Sequence, residues 1–157
     1  MLLTPHVLVG TVIGLAIQNP LIAVPVSIGS HLLGDLVPHW DFYSHTSKEQ
    51  RLRGWRPIAV MADFGLAIAI GVLFTLHTLW VMKNPGLTVN VFLCGIGSVL
   101  PDALEAPHIY MTKEPRITQF VYSIQHRLQF QAPLPWGIIS QIAVCGFSLL
   151  LIANLIK

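Results

Sequence analysis

The first 34 residues of the chain, Met1 to Gly34, contain no Asp, Glu, Lys or Arg. One helix of that length would extend about 51 Å at ~1.5 Å per residue, well beyond a bilayer core of ~30 Å. The tripeptide Gln18-Asn19-Pro20 is a turn signal near the middle of this stretch. The pattern therefore predicts a helical hairpin, with helices over about 4–18 and 21–37.

The rest of the composition indicates a membrane protein. Of 157 residues, 54% are hydrophobic and only 10% are charged, whereas soluble domains carry roughly 25% charged residues. A soluble fold of this size needs charge to cover its surface, so lipid is the simplest explanation. The net charge of +2 and the absence of a basic run interleaved with aromatics argue against a nucleic-acid partner.

Further apolar stretches complete the predicted fold. Three more spanning helices are expected over about 57–82, 87–105 and 132–156, and residues 117–130 carry apolar side chains at the intervals of an interfacial helix. We predict an all-α integral membrane bundle of about five transmembrane helices with one interfacial helix. Residues 1–157 would form a single domain.

The basic residues predict the orientation. With five spans, the N-terminus and the loops at 44–56 and 106–131 share one side of the membrane. That side would hold seven Lys and Arg residues, against Lys83 and Lys157 on the other. The positive-inside rule then predicts a multi-pass protein of the cell membrane with a cytoplasmic N-terminus.

Acids and histidines gather at that same cytoplasmic face. All seven acids and six of the seven histidines fall on it or within a few turns of it. Such groups are costly in a membrane unless they are paired or bind a metal, and no Lys or Arg is placed beside the intramembrane acids. A divalent cation would neutralise them, and imidazole with carboxylate suits zinc, with manganese or iron as alternatives. The predicted metal ligands are His6, His31, Asp35, Asp63 and Asp102.

Each of these residues also has a structural interpretation. His31 and Asp35 lie one turn apart on one helix face, where they could form a hydrogen bond between helices. Asp102 could end its helix among lipid headgroups, and Asp63 could serve packing alone. The chain contains no HExxH, no GxSxG and no Walker loop, which excludes the common zinc-protease, serine-hydrolase and nucleotide signatures.

Three short motifs carry a resemblance to a known family. They are Thr4-Pro5-His6, the helix end SHLLGDLVPHWD over 30–41, and Leu100-Pro101-Asp102. Together they resemble the small membrane-bound metal-dependent hydrolases of the YdjM-like type, which show an early histidine, an SHLLxDxxxP-like helix end and an LPD element. The resemblance implies a multi-helix membrane protein with a metal centre and hydrolase activity.

This chain departs from that family at one motif. Many members carry an HRGxTHS-like segment that opens a helix. Here Ser44-His45-Thr46-Ser47 keeps part of it inside a basic loop, and Gln125-His126-Arg127 keeps only the His-Arg pair. These departures leave the last ligands and the activation of the nucleophile open.

We therefore expect a metal-dependent hydrolase that acts at the cytoplasmic membrane face on an amphiphilic substrate, such as a phospholipid or a lipid-linked phosphate. Glu105 would be a ligand or general base, and His39 and His126 would support the ligands or donate a proton to the leaving group. Arg53, Arg56 and Arg127 would hold an anionic headgroup. The alternative is a non-catalytic membrane protein, either a metal carrier or a structural helical bundle.

Overall fold

The computed structural model describes residues 1–43, 46–111 and 113–157, and within these ranges the chain is helical, with no strand. Ser44 and His45 of the family-like segment lie outside the described residues. The seven helices are α1 (Leu3–Ala16), α2 (Pro20–Asp35), α3 (Lys48–Arg51), α4 (Arg56–Trp80), α5 (Pro85–Tyr110), α6 (Arg116–Leu128) and α7 (Trp136–Leu155). The all-α prediction is confirmed.

The predicted helices are present with shifted ends. Asn19 caps α2 by accepting from the backbone N–H of Leu21, which confirms the turn that divides the hairpin. Helix α5 continues to Tyr110, beyond the predicted end at residue 105, because Pro107 removes only one backbone donor and the following turn still closes. The short α3 was not predicted; a capping box at Ser47 and Gln50 begins it.

The number of helices that can span a membrane is smaller than predicted. Among the described residues, three helices are long and apolar enough, namely α4, α5 and α7, rather than five. Helix α1 has 14 residues and α2 has 16, so they extend about 21 and 24 Å at ~1.5 Å per residue, short of the ~30 Å core. Most of α1 is buried within the protein rather than facing lipid, whereas only four of the 16 residues of α2 are buried.

Helix α1 is the centre of the bundle. It packs against α2, α4, α5 and α7, and α5 is its main partner. Gly10 makes the close approach possible, because a Cβ at this position would lie 2.7 Å from the carbonyl oxygen of Cys94. Small residues at such contacts are typical of helix packing in membranes. Leu8, Leu15, Val91 and Ile152 form the apolar core around this contact.

The distribution of polar residues is the reverse of that in a soluble protein. Within the described ranges, fourteen polar or charged residues are buried, against ten apolar ones, while large apolar side chains such as Ile58 and Leu21 are exposed. An exterior this apolar needs lipid to cover it. Helix α6 follows the same rule, since Ile117 and Phe120 are exposed whereas Thr118 and Gln125 are buried. Its position at the membrane interface remains a prediction.

Backbone hydrogen bonds hold the α6–α7 connection against the end of α2. Phe130 donates to the carbonyl of Asp35, and His39 donates to the carbonyl of Phe130. The N–H of Ala132 donates in turn to His39. These bonds fix α6 beside the last turn of α2, which is where the buried polar side chains collect.

Candidate metal centre

His31 in α2 is held by a backbone acceptor on α5. Its Nδ1 lies 2.7 Å from the carbonyl oxygen of Ser98, and the ring is fully buried. A carbonyl can only accept, so Nδ1 carries the proton, and Nε2 of the neutral ring keeps its lone pair. Nε2 lies 3.3 Å from Asp102 Oδ1 and 3.5 Å from Asp35 Oδ2. A carbonyl that fixes the ring in this way is the usual support of a histidine ligand.

His6 in α1 lies directly against His31. The two rings stack with centroids 3.9 Å apart, and His6 Nε2 is 3.3 Å from Asp35 Oδ1. Gly34 leaves room for this ring, because a Cβ at Gly34 would lie 3.1 Å from His6 Cε1. The hairpin therefore brings the start of α1 onto the end of α2, and two imidazoles face the same acids.

Asp102 in α5 contributes the second carboxylate, and Gln125 from α6 joins it. The Gln125 side-chain nitrogen lies 2.9 Å from Asp102 Oδ1 and 3.1 Å from His31 Nε2. Its amide thus donates to the two atoms that a cation would engage. Gln125 was not among the predicted site residues. The available signal was a polar residue on the helical face shared with Val121 and Leu128.

Asp35 is the most enclosed acid of the group. The amino group of Met1 donates to its Oδ1 at 2.7 Å, and both groups are buried. Its Oδ2 has no hydrogen-bond partner among the described residues, and neither has Nε2 of His6. Buried polar atoms without partners are rare in folded proteins.

The donor set fits a metal ion. His6, His31 and Asp102 each offer one ligand atom, and these atoms lie within 4.8 Å of one another. The unpartnered Oδ2 of Asp35, 3.5 Å from His31 Nε2, adds a fourth possible donor beside them. We call His6, His31, Asp35 and Asp102 the histidine–aspartate cluster. Two imidazoles with carboxylate oxygens are ligands that suit zinc and related transition metals, and the cluster could hold such an ion.

Asp63, the remaining predicted ligand, has other partners. Its Oδ2 accepts from the N–H of Leu3 at 2.6 Å, and its Oδ1 accepts from the N–H and the hydroxyl of Thr4 at 3.3 and 2.7 Å. These are the unsatisfied donors at the start of α1. The carboxylate therefore caps α1 from the neighbouring α4, and the structure does not bring it into the cluster.

The three predicted acid–base residues lie in different places. Glu105 is half-buried one turn after Asp102, and both line a cavity of about 340 Å³. His39 is buried between α2 and α7, with Nδ1 2.8 Å from the Val37 carbonyl, and burial lowers the pKa of this imidazole below its usual value. His126 is exposed on α6, where its ring stacks near Tyr122.

The three arginines that were predicted to hold a lipid headgroup also lie in different places. Arg56 is half-buried, and its Nε donates at 3.2 Å to the carbonyl of Phe42, a residue that lines the cavity. Arg53 and Arg127 are exposed and line neither described cavity. Arg56 therefore contacts the lining of the cavity beside Asp102.

Comparisons with protein-family models, with curated proteins and with solved structures gave no match for this chain.

Proposed function

We propose that this protein is a membrane-embedded metal-dependent hydrolase with its active site at the cytoplasmic end of the bundle, as the resemblance to the YdjM-like hydrolases implies. One observation carries the proposal: His6, His31, Asp35 and Asp102, from three different helices, converge around one point. Buried imidazoles and carboxylates are expensive in a membrane protein, and when present they mark functional sites.

The ligands would be His6, His31 and Asp102, with Asp35 beside them. An ion there, with zinc preferred over manganese or iron, would supply Lewis acidity that activates water and polarises a phosphoryl or acyl oxygen. The Ser98 carbonyl holds His31 in the ligating tautomer. The proton removed from water would pass to Glu105, which lines the same cavity as Asp102. Glu105 is better placed for this role than His39 or His126, which do not line that cavity.

The substrate would be an amphiphile, such as a phospholipid or a lipid-linked phosphate. The cavity beside Asp102 lies in a bundle whose exterior is apolar, so the surrounding lipid is the nearest source of substrate. Arg56 would hold an anionic headgroup near the cavity wall. The excess of basic residues in the loops at 44–56 and 106–131 supports a cytoplasmic position for this end of the bundle.

Metal analysis of the protein purified in mild detergent, without chelator, tests the centre. The wild type is expected to hold at least one equivalent of a transition metal. His31→Ala is expected to retain less than a tenth of it, because the variant loses a ligand and the Ser98 contact. His77→Ala is the matched control, since His77 lies near the other end of α4 and outside the cluster.

Hydrolysis is measured on the same samples with vesicles of phospholipid and of a lipid-linked phosphate. We expect water-dependent release of the headgroup or phosphate by the wild type and by His77→Ala, and none by His31→Ala. Wild-type protein without stoichiometric metal, together with unchanged stability of His31→Ala, would remove the basis of the proposal. Metal without hydrolysis would leave a metal-binding membrane protein.

A metal carrier is the second candidate, and one observation favours it. Polar groups continue from the cluster into the bundle, and two of them, Thr11 Oγ1 and Asn90 Oδ1, are buried without a hydrogen-bond partner in the described chain. Oxygen atoms of this kind could coordinate a cation in transit. Zinc uptake into proteoliposomes distinguishes the candidates: a carrier moves zinc and loses this flux on Asn90→Leu, whereas a hydrolase shows hydrolysis without flux.

A further inference from the structure

Two apolar cavities adjoin between α1, α4 and α5. The first, of about 340 Å³, is lined by four acids, Asp41, Asp63, Asp102 and Glu105, and the second has a volume of about 140 Å³. Leu3, Phe64 and Val99 line both cavities. The two cavities therefore form one groove, which we call the α4–α5 groove, with acids at one end and only apolar side chains, a backbone-bonded Thr75 and glycines at the other.

The part of the groove between Val91 and Asp102 matches one membrane leaflet in length. On α5 the lining runs from Val91 to Tyr110, and Val91 and Asp102 are eleven positions apart, or about 16 Å at ~1.5 Å per residue. Half of a ~30 Å hydrocarbon core is about 15 Å. An acyl chain whose headgroup lies beside Asp102 would therefore reach the far end of the groove near the middle of the bilayer.

The groove is also accessible from the lipid. Several of its lining side chains are exposed on the outside of the bundle, among them Met61, Val72, Phe92 and Ile96. A lipid in the cytoplasmic leaflet could enter sideways between α4 and α5 without leaving the membrane. The polar end of the groove is shared with the histidine–aspartate cluster through Asp102.

We infer that the α4–α5 groove binds one acyl chain of the substrate lipid, with the headgroup at Asp102 and Glu105 and the chain end beside Val91. This inference rests on the proposed function and adds the substrate class: a lipid with an extended acyl chain in the cytoplasmic leaflet. The uncharged lining of the second cavity complements a hydrocarbon chain, and the four acids of the first cavity lie where the polar part of such a lipid would be.

Photocrosslinking with two lysophospholipid probes in vesicles tests both the occupancy and the direction of the chain. One probe carries a diazirine on the acyl chain next to the headgroup, and the other carries it at the chain end. The first is expected to label the peptide around Val99 and Ala103, and the second the peptide around Val91 and Gly95. The labelled positions are read by mass spectrometry.

Gly95→Phe is the blocking variant. Gly95 lines the deeper cavity, and a Cβ at this position would meet no atom within 4 Å, so the phenyl ring can enter the groove without a clash at its base. We expect at least a tenfold loss of labelling by the chain-end probe. Gly146→Phe on α7 is the matched control, because its Cβ is equally free but Gly146 lines neither cavity. Both variants should keep the wild-type metal content.

The outcomes separate the groove from the metal centre. His31→Ala should lose metal but keep the labelling by both probes. A result against the hydrolase proposal can therefore be told apart from a result against lipid binding in the groove. Labels spread evenly over α4, α5 and α7, and unchanged in Gly95→Phe, would mean bulk lipid only and overturn the inference. A reversed order of the two probes would overturn it too.

Discussion

Asp63 and Asp102 are acids in apolar helices at the same end of the bundle, yet their surroundings differ. Asp63 accepts from backbone N–H groups at the start of α1, which must be satisfied and cannot move away. Asp102 faces the His31 imidazole, whose Nε2 keeps a lone pair for a cation, and the Gln125 amide. An acid in an apolar helix is thus explained by the groups it faces: Asp63 completes a helix, whereas Asp102 belongs to a set of ligands.

The largest effect that would test this contrast is on metal affinity. We expect Asp102→Asn to weaken metal binding by at least about 100-fold. Loss of a residue that only supports a metal ligand already weakens binding by about 10- to 100-fold, and Asp102 is itself a predicted ligand. Asp63→Asn should bind metal within twofold of the wild type. Competition with a chromogenic chelator in detergent measures both variants. Equal losses in the two would show that Asp63 belongs to the centre and that the contrast is wrong.

The second effect is on stability, where Asp63 rather than Asp102 is expected to matter. Asp63→Ala removes the acceptor for three donors of α1, and loss of a helix cap costs about 1–2 kcal/mol. We expect a lower free energy of unfolding, measured by denaturant titration of circular dichroism in detergent. Asp41→Ala, an acid in the loop after α2 that accepts from the backbone N–H of Tyr43, serves as the control for loss of a carboxylate that caps no helix. An unchanged stability of Asp63→Ala would mean that α1 is held by its packing alone.

The sequence predicted those parts of the site that depend on local spacing. His31 and Asp35 are one turn apart, so their common face follows from the helix itself, and the structure places both beside His6 and Asp102. The role of Asp63 was not predictable in this way. It depends on how far the start of α1 lies from α4, a distance between elements that are about 60 positions apart in the chain. Gln125 was missed because an uncharged amide on an amphipathic helix gives no sign of an unpaired charge.

In the fold, too, local features were predictable from the sequence, whereas contacts between distant elements were not. Apolar composition predicted the helices but not how many of them can span, because an uncharged helix can be covered by lipid or by protein. Helix α1 illustrates this, since Gly10 brings it against α5 and most of its 14 residues are buried. Its composition is that of a spanning helix, but its length and surroundings are those of a core helix.

The smallest expected effect concerns a single methyl group beside His6. In Gly34→Ala the new Cβ would lie 3.0 Å from Met1 Cε and 3.1 Å from His6 Cε1, so the ring must move by a few tenths of an ångström. A mild overpacking of this kind costs about 1 kcal/mol, and we expect metal affinity about fivefold below the wild type.

The matched control is Gly29→Ala, one and a half turns earlier on α2, where a Cβ meets nothing within 4 Å. It adds the same methyl group and the same gain in helix propensity, so affinity should stay at the wild-type value. If Gly34→Ala also bound metal like the wild type, the position of the His6 ring would not matter to the ion. The ligands would then be His31 and Asp102, in contrast to Asp63, which caps α1. His6 would be a packing residue between α1 and α2.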